Sequence, residues 1–298
     1  MSVRTIDTSK ASNHPSSSTL VRACAIQMVS SLDWHENQET ATRLLTKAAR
    51  DNNKIAVLPE NFITYGDKLT PTESEQRRFI ADFSTVASSL NLWLVAGTFP
   101  VHSHVLAEFF SEYESVARDN RPYAASLVFS PAGEPVAAYT KLHLFDVSVD
   151  DGVKRYCESN TFRHGERPMV FSAFNQSFAL AVCYDLRFAE LFKIFHERQC
   201  SAILFPSAFT SKTGEAHWHT LVRARAIETQ SYIVAANQGG DHPNGRSTWG
   251  ESMIVDPWGK VIDCLDKGEG IVSAEIDTNF VKQCQNAMPI AQHRRQLE

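Results

Sequence analysis

Phe178-Ala179-Leu180-Ala181-Val182-Cys183-Tyr184-Asp185-Leu186-Arg187-Phe188 is the stretch that decides how this chain is read. Five apolar residues in a row with no polar alternation suit a strand covered on both faces, as in the parallel sheets of α/β proteins. Residues 189–198 follow with helical composition. A strand that runs straight into a helix is the basic α/β unit, and ligands in such folds bind at the carboxyl ends of the strands. Cys183 stands at that join.

Working outward, the same pattern recurs on both sides. Residues 23–28 read as a strand, and Ala41, Leu44, Leu45 and Ala48 then repeat at helical spacing. Ile55-Ala56-Val57-Leu58 is a second buried strand, with Glu60 just past its end. A helix over 73–90 and a strand over 92–96 come next. Residues 125–129 and 136–139 flank Ser130-Pro131-Ala132-Gly133-Glu134 as a hairpin, and Lys141 lies just beyond its second arm. After Cys183 come a strand at 202–205, a helix at 215–229 and a strand at 233–236. Residues 253–255, a Pro257-Trp258-Gly259-Lys260 turn, Val261-Ile262 and residues 271–274 finish the chain. That is more strands than one ordinary sheet holds, so two packed sheets with helices outside are expected.

Composition narrows the functional class. With 298 residues, 43% of them hydrophobic and 21% charged, the chain has ample material for one large core. A formal net charge of -5 and no Lys/Arg runs leave no footprint for gripping phosphate backbones, so nucleic acid is excluded as a partner. The six cysteines form no CxxC pair and no disulfide framework, which suits a reducing compartment and a cytoplasmic location. No apolar run reaches the roughly 20 residues that span a bilayer, and the first twenty residues lack the apolar core of a secretory signal. Residues 1–20 are therefore expected to be a disordered arm, and 21–298 one domain.

Three reactive side chains share one context, each after an apolar strand: Glu60 in Val57-Leu58-Pro59-Glu60-Asn61, Lys141 in Tyr139-Thr140-Lys141-Leu142-His143, and Cys183. Singly, each has an ordinary explanation as a capping carboxylate, a surface cation or a small buried hydrophobe. Together they make a coherent chemistry. A thiol attacking an amide needs a group to take its proton and donors where the carbonyl oxygen gathers charge. Glu60 suits the first role. Lys141 suits the second, kept protonated by a nearby carboxylate, with the Tyr184 backbone N–H as second donor because it follows the nucleophile at a strand-to-helix turn. Opposite charges make Asp185 and Arg187 candidates for bracing that turn.

Leu58-Pro59-Glu60-Asn61, Lys141-Leu142-His143-Leu144-Phe145-Asp146 and Val182-Cys183-Tyr184-Asp185-Leu186-Arg187-Phe188 resemble, in order and separation, the three catalytic motifs of the nitrilase superfamily of carbon–nitrogen hydrolases. The resemblance covers about 21–295. It implies an α/β fold of the four-layer αββα sandwich type, a Glu60, Lys141, Cys183 catalytic set, no metal and no cofactor, a small-molecule amide substrate, and a homodimer or higher homo-oligomer. Glu158 in Cys157-Glu158-Ser159-Asn160 matches a second acidic residue of that family, and residues 147–156 run about one residue longer than in close relatives.

Pro206-Ser207-Ala208-Phe209, Thr213-Gly214-Glu215-Ala216-His217-Trp218, Arg223-Ala224-Arg225-Ala226-Ile227-Glu228 and Asp256-Pro257-Trp258-Gly259 resemble the branch of deaminated glutathione amidases and omega-amidases. Cys157-Glu158-Ser159-Asn160 and Arg246-Ser247-Thr248-Trp249-Gly250 lean toward the former. The branch implies hydrolysis of a carboxylated amide, deaminated glutathione first and 2-oxoglutaramate as the alternative, with substrate contacts at Ser207, Phe209, Thr210, Lys212, Thr213 and His217. A carboxylated substrate calls for a cationic clamp, for which Lys212, Arg155 and Arg246 are candidates. Glu251 stands where relatives commonly have His. A zinc hydrolase built on His217 and His219 is the rival enzyme, disfavoured because the i, i+2 spacing puts the rings on different sides of a helix. Gly239-Gly240 lacks the spacing that cradles phosphate. A binding protein on a catalytic fold is the non-enzymatic rival, opposed by retention of all four reactive residues.

Overall fold

The computed structural model describes residues 3–6, 19–66, 70–113, 119–149 and 155–295. The strands of the first half are β1 Arg4–Ile6, β2 Leu20–Gln27, β3 Ile55–Val57, β4 Trp93–Val101, β5 Tyr123–Phe129, β6 Pro135–Thr140 and β7 Asp146–Ser148. Those of the second half are β8 Arg155–Cys157, β9 Met169–Ala173, β10 Gln176–Leu180, β11 Ala202–Ser207, β12 Tyr232–Asn237, β13 Met253–Val255, β14 Val261–Cys264 and β15 Gly270–Asp277. The helices are α1 Trp34–Arg50, α2 Glu73–Leu90, α3 Ser103–Leu106, α4 Ala189–Glu197, α5 Ser211–Thr229, α6 Thr278–Ala287 and α7 Ile290–His293.

One sheet has the order β15-β2-β3-β4-β5-β6 and the other β1-β9-β10-β11-β12-β13-β14, while β7 and β8 form a separate two-stranded ribbon. The central strands are parallel: β2 beside β3 beside β4, and β10 beside β11 beside β12. Strand alternation then sorts their side chains into layers. In β2, Ala23 and Ala25 join the core between the sheets, whereas Cys24 and Ile26 face outward onto Ala41, Leu44 and Leu45 of α1 and Phe79 and Phe83 of α2. On the far side Phe192 and Phe195 of α4 and Trp218, Val222 and Ala226 of α5 cover the second sheet. The result is the four-layer αββα sandwich expected from the sequence.

Local signals account for where the helices begin. Asp33 caps α1 by accepting from the His35 and Glu36 amides, and Thr72 with Glu75 forms a capping box at α2. Thr210 caps α5 at the Thr213 amide, so this helix starts before the expected 215. Among the described residues no helix is long and apolar enough to cross a membrane.

The N-terminal segment departs from expectation. Arg4, Thr5 and Ile6 pair in parallel with Met169, Val170 and Phe171, and Leu20 already belongs to β2, so the arm expected to be disordered does not include them. Residues 7–18 lie outside the described residues. Val3 and Ile6 pack on the inter-sheet core, and the Arg4 guanidinium meets Glu112 at 3.2 Å and sits 5.0 Å from the Tyr113 ring centroid. The Ser-rich average of the arm hid this short apolar piece. Truncation before Leu20 is expected to lower the free energy of unfolding by about 2 kcal/mol, the worth of two part-buried aliphatic side chains. Urea denaturation of the truncated chain checks this; an unchanged midpoint would mean that β1 contributes nothing.

Candidate active site

Each of the three reactive residues follows a strand: those before Glu60 and Lys141 belong to one sheet and the one before Cys183 to the other. Glu60 comes after β3, its amide on the Ser207 carbonyl at 3.3 Å and its own carbonyl accepting from Gln238 Nε2 at 3.1 Å. The turn that carries Glu60 lies against β4 at Gly97, whose φ is +32°; a Cβ there would collide with the Pro59 carbonyl oxygen. Lys141 follows β6, with its amide on the Ala124 carbonyl at 3.0 Å and its carbonyl accepting from Gly165 at 2.7 Å. Cys183 follows β10 at the start of a 3₁₀ turn over Cys183–Arg187 and has φ +46°, a left-handed conformation for a residue with a side chain.

Such a conformation persists only where its surroundings hold it. Here Asp185, fully buried, does so: its carboxylate accepts from the Val182 amide at 2.8 Å, the Tyr139 hydroxyl at 2.6 Å and the His143 amide at 3.2 Å, and lies 2.7 Å from His143 Nδ1. Asp185 therefore braces the elbow, as its position after Cys183 suggested. Arg187 does not join it. The Arg187 guanidinium turns into the cleft, 5.8 Å from the Tyr184 ring centroid and 5.6 Å from that of Phe209, and donates to His217 Nδ1 at 3.3 Å.

At the centre, Lys141 Nζ donates to Glu60 Oε1 at 2.7 Å and to Glu158 Oε1 and Oε2 at 3.0 and 2.8 Å. Glu158 enters from a 3₁₀ turn after β8 and also accepts from the Phe145 amide at 2.7 Å. Burial works against the Lys141 ammonium, but the Glu158 and Glu60 carboxylates outweigh it and hold the group well above the ordinary lysine range. The opposite holds for the thiol. Burial, then the Glu60 charge, pushes Cys183 well above the ordinary cysteine range, against the pull of Lys141 and of the Ala208 backbone amide. The thiol beside Glu60 therefore rests protonated. The thiolate absorbance at 240 nm of wild type minus Cys183→Ala is accordingly expected to be near zero at pH 7 to 8. A full thiolate signal there would contradict a proton held on sulfur until substrate arrives.

The three groups open onto a cleft of about 470 Å³ whose wall includes Tyr65, Thr98, Phe145, Arg155, Tyr156 and Glu158. The backbone amide of Tyr184 belongs to the first turn of its short helix, where N–H groups lack intrahelical acceptors. Of the substrate contacts expected from the sequence, Phe209, Thr210 and Thr213 line the cleft. Ser207, Lys212 and His217 do not. Ser207 is fully buried at the end of β11 with its hydroxyl unpaired, and serves Glu60 through its carbonyl. Lys212 is exposed, one helical step off the face that Thr210 and Thr213 present. His217 lies a turn beyond Thr213 and meets the cleft residue Arg187. Arg155 and Arg246 of the expected clamp do line the wall; Arg187, Tyr65 and the Ala208 amide were missed, although Tyr65 and Arg187 follow Glu60 and Cys183 closely enough for proximity to have signalled them.

Glu251, the departure noted in the sequence, is absent from the cleft wall; its carboxylate accepts from Trp249 Nε1 at 2.8 Å and meets His219 Nε2 at 3.0 Å. His217 and His219 thus face different partners, Arg187 and Glu251. Among the described residues no group of three His, Cys, Asp or Glu side chains is arranged to hold a metal ion. The middle of the long 147–156 stretch, residues 150–154, lies outside the described residues.

Two sheets face to face between helical layers, with a carboxylate, an ammonium and a thiol at their strand ends, define a nitrilase-type hydrolase fold. The family model for carbon–nitrogen hydrolases matches residues 20–286, and the chain belongs to that family. It is 36% identical over 283 residues to a human deaminated glutathione amidase, covering 93% of this chain and 82% of the human one. A Xenopus tropicalis omega-amidase is 33% identical over 277 residues, covering 92% and 95%. The crystal structure of the C. elegans NitFhit protein superposes with a TM-score of 0.78 at 32% identity over 93% of this chain, which spans 65% of that longer protein.

Proposed function

We propose that this carbon–nitrogen hydrolase is an amidase that cleaves deaminated glutathione to 2-oxoglutarate and cysteinylglycine through a thioester on Cys183. The carrying observation is a cleft in which the Glu60, Lys141, Cys183 cluster shares one wall system with Arg155, Arg187 and Arg246. Carboxylated ligands are met by guanidinium groups, and the volume exceeds what a five-carbon acid amide requires. Glu60 takes the thiol proton as sulfur attacks, returns it to the leaving amine, and later activates the water that releases the acid. Lys141 and the Tyr184 amide stabilise the oxyanion, and Glu158 fixes the ammonium from its other side. No step calls for a metal or cofactor. The omega-amidase reading, cleavage of 2-oxoglutaramate, is favoured by the near-equal similarity to the frog enzyme.

The rank of substrates decides between them. By kcat/KM, deaminated glutathione is expected to exceed 2-oxoglutaramate, and both to exceed intact glutathione and simple nitriles, because an amino group in place of the oxo group brings an uncompensated ammonium to a cationic wall. A clear win for 2-oxoglutaramate makes the protein an omega-amidase; a win for nitriles removes the branch assignment. A cytoplasmic homo-oligomer is part of the same reading, supported by six free cysteines and by exposed Ile227, Trp258 and Met288 around the end of α5.

A further inference from the structure

Tyr65 is a polar residue in the cleft that the chemistry above does not use. Only 7% of the residue is exposed, it lines the cleft, and no hydrogen bond engages its hydroxyl among the described residues. A buried phenol normally finds a partner. The ring is held in place from several directions. It lies on the His242 ring at 4.0 Å, and both nitrogens of that ring are engaged, with the Ser30 carbonyl and the Thr248 hydroxyl at 2.8 Å each. The Tyr65 amide donates to the Ser31 carbonyl at 2.9 Å.

A single side-chain amide ties Tyr65 to one of the cleft arginines. Asn244 Nδ2 donates to the Tyr65 carbonyl at 2.8 Å, while Asn244 Oδ1 accepts from the Arg246 amide at 3.0 Å. The Arg246 guanidinium sits 5.9 Å from the ring centroid of Tyr156, another wall residue. Burial pushes the Tyr65 phenol well above its ordinary range, the Arg246 cation opposes this, and Tyr156, Glu60 and Cys183 add to it. The hydroxyl thus stays a neutral donor in the cleft that Cys183 and Arg246 also line.

A donor of this kind, on a rigidly held ring in the same cleft wall as a guanidinium, matches one oxygen of an anionic acceptor whose charge the guanidinium meets. We propose that Tyr65 is a specificity-determining residue whose phenol, beside Arg246, donates a hydrogen bond to a carboxylate oxygen of the amide substrate; this rests on the functional reading above. The aromatic ring supplies the wall, and the hydroxyl alone supplies the discrimination, so Tyr65→Phe separates the two without opening a cavity.

The test compares kcat/KM of wild type, Tyr65→Phe, Arg246→Gln and the double variant on deaminated glutathione, 2-oxoglutaramate and the uncharged amide propionamide. Tyr65→Phe is expected to lower kcat/KM on the better carboxylated substrate about 10- to 100-fold, chiefly through KM, with a several-fold smaller loss on propionamide. The double variant should lose less than the product of the two single losses, since both groups serve one carboxylate. Equal losses on charged and uncharged amides, or no loss, overturn the proposal while leaving the functional reading intact. Wild type that hydrolyses propionamide but neither carboxylated amide overturns both.

Discussion

Cys183→Ala is expected to lower kcat/KM by about 10⁴-fold or more, since the thiol is read as the covalent nucleophile and no neighbouring group replaces it. The fold should survive. The residue is small, and its left-handed backbone is held by Asp185, Tyr139 and His143 and not by the sulfur. Thermal unfolding of the variant should therefore stay within about 1 kcal/mol of wild type. Mass spectrometry of wild type quenched during turnover of a slow amide should show an acyl adduct on Cys183. The adduct appearing on Cys157, which also borders the cleft, or activity surviving the substitution, would overturn the assignment.

Lys141→Gln should cost nearly as much activity and much more stability. Loss of an oxyanion donor alone accounts for about 10²- to 10³-fold in rate, and the ammonium also fixes the base and Glu158 in place. Glu60 and Glu158 would be left buried without their shared counter-charge, a change of about 3 kcal/mol or more at neutral pH. The pH dependence has a definite sign. Burial already holds the Glu158 carboxyl above its ordinary value of 4.5 beside Lys141, and removing the ammonium raises it further. A group raised in the folded state contributes stability below its unfolded value and loses it as pH rises through the folded one. The deficit of the variant should therefore be full at neutral pH and shrink as pH falls toward 4.5. Urea unfolding of both proteins at several pH values measures it. A deficit independent of pH would show that lost packing, and not unpaired charge, is what the substitution costs.

Much of the fold was legible because its central strands are covered on both faces. The runs Ile55–Leu58 and Phe178–Val182 are accordingly apolar throughout, and the reactive residue just past each, Glu60 or Cys183, marks the carboxyl edge where a site forms. Helix α2 was equally plain, since its capping box and apolar spacing are local. Helix α5 was read four residues short; its first turn includes Gly214, which the structure uses to admit Trp249 against the helix backbone. Strand β1 was lost in a Ser-rich average because its justification, the edge of β9, lies far along the chain.

The chemistry of the site divides in the same way. The sequence by itself determined which side chains to read as reactive, that they follow strands, and which family's motifs they resemble, since all of this is carried by residue type and local order. Tertiary structure alone decided their company. Asp185 and Arg187 are two residues apart with opposite charges, and pairing them was the natural reading. Yet Asp185 turns inward to Tyr139 and His143, 46 and 42 residues away, while Arg187 enters the cleft. Ser207, Lys212 and His217 failed as cleft residues for a related reason: a stretch that borders a site presents only some of its side chains to it, and which ones depends on how its strand end and helix are seated. Tyr65, silent in the sequence, became informative only when its buried ring was found lining the cleft with no hydrogen bond on its hydroxyl among the described residues. A buried donor's lack of an acceptor depends on every element packed around it, and no local pattern of residues carries that.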